Sequence, residues 1–229
     1  MELDQIENTF IQEKSLIATM LTRKPSKNAF VVANGTILIM AVLTLFYWQD
    51  PFGWSLMMPA VNRQIFANAQ WWRVYTAIFI HADSAHFLSN MYMLWIFSFF
   101  VFGYFGSKIY PLITFFSAGI VNALAVSTYS LDIELLGASG LVYLLGGFWL
   151  SLYFFIQRQH KWPNRLLRVT GIGIMIFLPS TFVPTTSYRS HAIGFAIGIL
   201  IGTLYFFNNR KKIRSYEVYK TNLIEIVPK

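Results

Sequence analysis

The chain alternates between long apolar runs and short polar connectors, and six of the runs are long enough to be membrane spans. A hydrocarbon core ~30 Å thick needs roughly 17–25 mostly apolar residues in a helix. The runs are Phe30–Trp48, Ala85–Phe105, Tyr110–Tyr129, Ser139–Ile156, Leu166–Val183 and His191–Phe207. The connector Gln49–Ser84 is too long and too apolar to be a plain linker: it carries Trp54, Met57, Met58, Ile65, Phe66, Trp71 and Trp72. Amphipathic rings of this kind settle at the headgroup level, so part of the loop is expected to lie in the membrane surface. The pattern predicts an all-α membrane protein, a six-transmembrane-helix bundle with a long, partly membrane-embedded first outer loop. Residues 1–28 form an N-terminal segment, 29–208 the helical domain and 209–229 a basic tail. No internal repeat or second domain is visible.

Composition sharpens this picture. Hydrophobic residues make up 55 % of the chain and charged residues only 12 %, whereas soluble domains carry roughly a quarter charged residues. The net charge of +8 is concentrated in connectors, so it describes loops and gives no argument for a nucleic-acid partner. All of the 18 Lys and Arg residues except Arg63, Arg73 and Arg189 fall on one side of the six spans. The excess of basic residues on cytoplasmic loops then places both termini in the cytoplasm, and the loops Gln49–Ser84, Ser130–Ala138 and Pro184–Ser190 face outward. Cysteine is absent, which removes disulfides and thiolate chemistry. The first 28 residues mix acidic and basic side chains without a continuous apolar stretch, unlike a cleavable signal peptide.

Ionisable groups at membrane depth are costly, so each is a functional candidate. His160 lies in a basic inner connector and reads as a solvated loop residue. His81, His86 and His191 map to the outer ends of spans. His86 and Asn90 are four residues apart and share a helix face, a donor pair able to hold an oxyanion. His81 points elsewhere and is expected to tie the loop to the helix. Asn34, Asn90 and Asn122 also sit at membrane depth, where interhelical hydrogen bonding is their commoner role.

Two helices carry stripes of small residues. Ser139, Tyr143 and Gly147 line one face of the fourth span, following Gly137-Ala138 and preceding Gly140. On the sixth, His191 is followed at the same face by Gly194 and Gly198. Such stripes let membrane helices approach closely, and packing alone would explain them. If the glycine faces meet, however, Ser139 and His191 arrive together at the outer end. A serine hydroxyl needs an adjacent base to become a good nucleophile. The pair is therefore a candidate catalytic dyad, with the Ser139 N–H, His86 and Asn90 as candidate oxyanion donors. No acidic third member is placed to orient the imidazole, so a neighbour such as Tyr143 would take that part.

At this point the residues resemble the rhomboid intramembrane serine proteases, from about Trp72 to Gly198. Trp72-Arg73 resembles the family's Trp-Arg pair, and His81, His86 and Asn90 its His-x4-His-x3-Asn pattern. Gly137-Ala138-Ser139-Gly140 resembles the Gly-x-Ser-Gly nucleophile motif, and His191, Gly194 and Gly198 the His-x2-Gly-x3-Gly motif. The resemblance implies the rhomboid-type six-helix fold, a Ser139–His191 dyad, and an oxyanion hole near His86, Asn90 and Ser139. It also implies that Tyr143 stacks on His191 and that the site opens to the outer face, in a bacterial inner membrane. Substrates would be transmembrane proteins, with membrane lipids the surrounding partner and with no metal or organic cofactor. Ser190 precedes the candidate base where the family commonly has alanine; size is kept. Arg73 is open between a contact to lipid headgroups and a brace within the loop.

Three rivals stand beside this expectation. A catalytically inactive relative that binds transmembrane helices would usually lack the serine or the histidine, and both are present. A metalloprotease built on His81, His86, His191 and Asp83 lacks the His-Glu-x-x-His helix signature. A small transporter would need a charged residue in mid-span to carry ions, and the spans have none.

Overall fold

The computed structural model describes residues 9–177 and 187–226. Helix α1 spans Asn28–Gln49, a short α2 spans Arg73–Thr76, and α3 spans Ser84–Phe105. Helix α4 covers Thr114–Ser127, entered through a wider helical turn at Lys108–Ile113, and α5 covers Ser139–Ile156. Helices α6 and α7 span Trp162–Phe177 and Tyr188–Arg214. Among the described residues, five helices, at the first, second, third, fourth and sixth predicted spans, are long and apolar enough to cross a membrane. The protein is a mostly helical, multi-pass integral membrane protein. Helix α6 covers the first part of the predicted fifth span; the rest of that span and the first three residues of the predicted loop Pro184–Ser190 lie outside the described residues.

Local chemistry sets the helix ends. Asp83 caps α3 by accepting the His86 N–H at 2.8 Å, satisfying one of the donors that a helix start leaves open. The same helix stops at Gly106, whose φ of 79° suits a residue without a Cβ. Helix α1 stops at Asp50, in the left-handed region at φ 48°. The Asp50 carboxylate accepts the Ser55 N–H at 2.9 Å and its hydroxyl at 2.5 Å, which turns the chain into the long loop between α1 and α3 and holds that carboxyl below the usual carboxylate range.

Helix α5 is the axis of the bundle: 61 % of its apolar stretch is buried, against 22 % for α1. Its partner is α7, and the two helices meet glycine to backbone. A Cβ on Gly194 would lie 2.5 Å from the Gly140 carbonyl oxygen, and one on Gly198 would run into the Leu144 carbonyl. Gly147 answers from α5, where a Cβ would meet the Phe195 carbonyl, and Gly202 continues the contact onto Phe148 and Ser151. In lipid, where no hydrophobic force draws helices together, close contact of this kind is a main source of association.

Two short sheets complete the fold and neither was expected from the pattern. Strand β1, Thr9–Ala18, pairs antiparallel with β4, Val218–Ile226. The ribbon sits at the end of the bundle where α5 finishes: Thr19 Oγ1 donates to Gln157 Oε1 at 3.1 Å, and Arg158 pairs with Glu217 at 3.0 Å. The expected tail is thus partly helix, since α7 runs to Arg214, and partly strand. At the other end, β2 (Ala60–Val61) pairs with β3 (Glu134–Leu135), joining the loop after α1 to the loop before α5.

Candidate active site

The loop that delivers Ser139 is built around Gly137. Its φ of +111° is one that L side chains avoid, and a Cβ there would stand 2.6 Å from His86 Cε1 and 2.8 Å from His86 Nε2. The His86 ring therefore rests directly on the Gly137 backbone, a contact only glycine allows. Gly137 N–H donates to the Ala77 carbonyl at 2.9 Å. Ser139 then opens α5 and is half-buried. The first backbone N–H groups of a helix have no intrahelical acceptor, so the Ser139 N–H is available to an incoming carbonyl oxygen.

His81 is the anchor beneath this loop. It is fully buried, and its Nε2 accepts the Ala138 N–H at 3.2 Å. That bond assigns the proton to Nδ1, which faces Thr44 Oγ1 at 3.2 Å, and the Thr44 hydroxyl in turn donates to the Phe79 carbonyl at 3.1 Å. Trp48 Nε1 donates to the His81 carbonyl at 2.7 Å. The chain of donors works only with a neutral imidazole. Burial, aided by the neighbouring His86 and opposed by Asp83, pushes the His81 pKa down to about 3. A histidine lowered in the folded state stabilises the fold fully above its unfolded pKa, and that stability is lost as pH falls toward the folded value. Below pH ~6.5 the loss is about 1.4 kcal/mol per pH unit, or about 2 kcal/mol at pH 5. The thermal midpoint in detergent should accordingly fall between pH 7 and pH 5, and by less in His81→Gln; equal slopes in the two proteins would contradict this role for His81.

His191 lies in the first turn of α7 and is buried. Tyr143 sits one turn along α5 from Ser139, about 6 Å of axial rise, and its ring stacks on His191 with centroids 3.9 Å apart and planes 14° apart. The glycine contact at Gly140 and Gly194 holds the two helices together at the same level. His86 thus rests on Gly137, two residues before Ser139, and His191 rests on Tyr143, one turn after it. Ser190 packs beside Gly140, where an added Cβ would come within 3.8 Å of its own.

Two further residues of the motifs have defined partners. Asn90 is buried, and its amide Nδ2 donates to the His86 carbonyl of its own helix at 2.8 Å; helix geometry puts an i−4 carbonyl within reach of any side-chain amide. Of the three membrane-depth asparagines, only Asn122 bridges elements, donating to the Val74 carbonyl at 2.9 Å, while Asn34 bonds to its own helix at Phe30. Arg73 is buried and donates to the Pro59 carbonyl at 3.0 Å, the Leu56 carbonyl at 2.8 Å and Gln70 Oε1 at 2.6 Å. It therefore braces the loop between α1 and α3, whereas its neighbour Trp72 is half exposed. Thr44, Trp48 and Gly202 were not singled out from the sequence. The i, i+4 spacing of Thr44 and Trp48 near the C-terminal end of α1 was the available signal for two of them. Among the described residues, no three His, Asp or Glu side chains converge to hold a metal ion.

A sequence model of the Rhomboid domain matches residues 68–208, which takes in every motif residue named above. The chain is also 25 % identical over 190 residues to a Bacillus subtilis (strain 168) protein named "Putative rhomboid protease YdcA", covering 82 % of this chain and 93 % of that protein.

Proposed function

The chain belongs to the rhomboid family, and on that premise we propose that it is an intramembrane serine endopeptidase, hydrolysing peptide bonds in or beside transmembrane segments of membrane-protein substrates. The observation that carries this reading is the Tyr143–His191 stack, which holds an imidazole beside the start of α5 where Ser139 stands. Ser139 Oγ attacks the substrate carbonyl and passes its proton to His191. The oxyanion that develops is met by the Ser139 N–H and the His86 ring, and by Asn90, whose Nδ2 keeps a second hydrogen beyond the one given to His86. His191 returns the proton to the leaving amine, and water then repeats the sequence to release the acyl group. Tyr143 substitutes for an acidic partner by fixing the plane of the imidazole.

The distribution of Lys and Arg supports cytoplasmic termini and a site that opens to the outer face, and the family resemblance supports the cell membrane of a bacterium. Substrates would be membrane proteins whose transmembrane helix unwinds near that face. The test is a fluorophosphonate probe on the detergent-purified chain. Wild type should be labelled at a rate unaffected by chelators, and Ser139→Ala should not be labelled. Equal labelling of both proteins, or cleavage that chelators stop and the probe does not, would sink the serine-protease reading.

A further inference from the structure

The first turn of α7 is held by a second set of contacts besides those with α5, from the end of α4 and the residues that follow it. Ser187 caps the helix: its Oγ accepts the Ser190 N–H at 3.2 Å, and its carbonyl accepts the His191 N–H at 3.2 Å and the Ser190 hydroxyl at 3.0 Å. The Ser187 hydroxyl is also hydrogen-bonded to the Tyr129 hydroxyl, beyond the end of α4. Arg189 Nη1 donates to the Thr128 carbonyl and to Thr128 Oγ1, the latter at 3.1 Å. Its guanidinium carbon stands 5.4 Å from the Tyr129 ring centroid, within cation–π range. Ile193 packs into the apolar cluster of Val74, Ala125, Val126 and Leu135. These contacts land on residues 187–193, which bracket His191.

From this arrangement we infer that Tyr129, Ser187 and Arg189 form a positioning clasp that fixes the first turn of α7 against α4 and so sets the angle at which His191 meets Ser139. The inference rests on the dyad proposed above. A glycine stripe determines how close two helices come, but it is smooth and resists rotation or sliding poorly. Helix ends also fray, because their first N–H groups lack intrahelical acceptors. The backbone N–H of His191 ends on the Ser187 carbonyl, so release of Ser187 would free the candidate base from its helix. Catalytic geometry is sensitive on this scale, since a misplacement of about 1 Å costs on the order of 100-fold in rate.

Steady-state cleavage of a transmembrane substrate in nanodiscs, with fluorophosphonate labelling in parallel, tests the clasp. Tyr129→Phe, Ser187→Ala and Arg189→Gln should each lower kcat by about 10- to 100-fold with KM nearly unchanged. Labelling of Ser139 should slow in step, with thermal midpoints close to wild type. The double variant Tyr129→Phe/Ser187→Ala should be no worse than its worse single variant, because both remove one bond. Ser187→Thr, which keeps the capping hydroxyl, should restore activity. The clasp is overturned by wild-type kcat in the three variants, by a loss that tracks thermal midpoint alone, or by a rise in KM at constant kcat. A wild type inert in both assays would refute the protease reading itself, and the clasp with it.

Discussion

Ser139→Ala and His191→Ala are each expected to lower cleavage of a transmembrane substrate by on the order of 10⁴- to 10⁶-fold, the scale seen when a nucleophile or its base is removed from a serine protease. In the proposed dyad the two residues act as one unit, because the hydroxyl attacks only as its proton leaves for the imidazole. The double variant should therefore be no slower than either single one. Gel-based cleavage in proteoliposomes measures this, with circular dichroism to show that the helices persist. Additive losses would mean that Ser139 and His191 work independently, which the dyad does not allow. Comparing membrane-shed fragments from wild-type and Ser139→Ala cells would then name the substrates.

Gly198→Leu should come next in size. A Cβ at this position already collides with the Leu144 carbonyl of α5, and a backbone carbonyl inside a helix cannot swing away as a side chain could. Overpacking a well-filled core costs typically about 1–3 kcal/mol, and a backbone contact belongs at or above the top of that range. The helices are expected to separate at the level of the stripe, carrying His191 away from Ser139. Activity should fall at least about 100-fold and the thermal midpoint should drop. Membrane insertion should be unaffected, since leucine only adds to the hydropathy of the span. Gly35 is the internal control: a Cβ there meets nothing within 4 Å, so Gly35→Ala should leave activity at the wild-type level. Full activity in Gly198→Leu would show that the glycine contact does not set the site.

Five of the spans were legible because each is a local property of the chain. The start of α5 at Ser139 and the end of α3 at Phe105 coincide with the expected edges, since Gly137 and Gly106 interrupt the helical backbone there. The glycine stripes were legible for the same reason: a residue without a side chain at helical spacing announces a close neighbour. Strand β1 was not. Residues 9–18 carry no turn signal or clean alternation, and they are extended because β4, more than 200 residues away, supplies the ladder.

What the sequence by itself determined is the set of membrane helices, the uneven placement of basic residues, and the four motifs that mark the family. These depend on residue type and short-range spacing, which a linear chain displays directly. What only the tertiary structure decided is who meets whom. His81 reaches Thr44 and Ala138, Arg73 turns inward to brace its loop, Asn90 bonds to its own helix, and Tyr129 and Thr128 hold the start of α7. In water, an apolar stripe tells which face of a helix is buried. In lipid the outward face is apolar as well, so hydropathy loses that information, and the partners of each polar group are decided only when the helices pack.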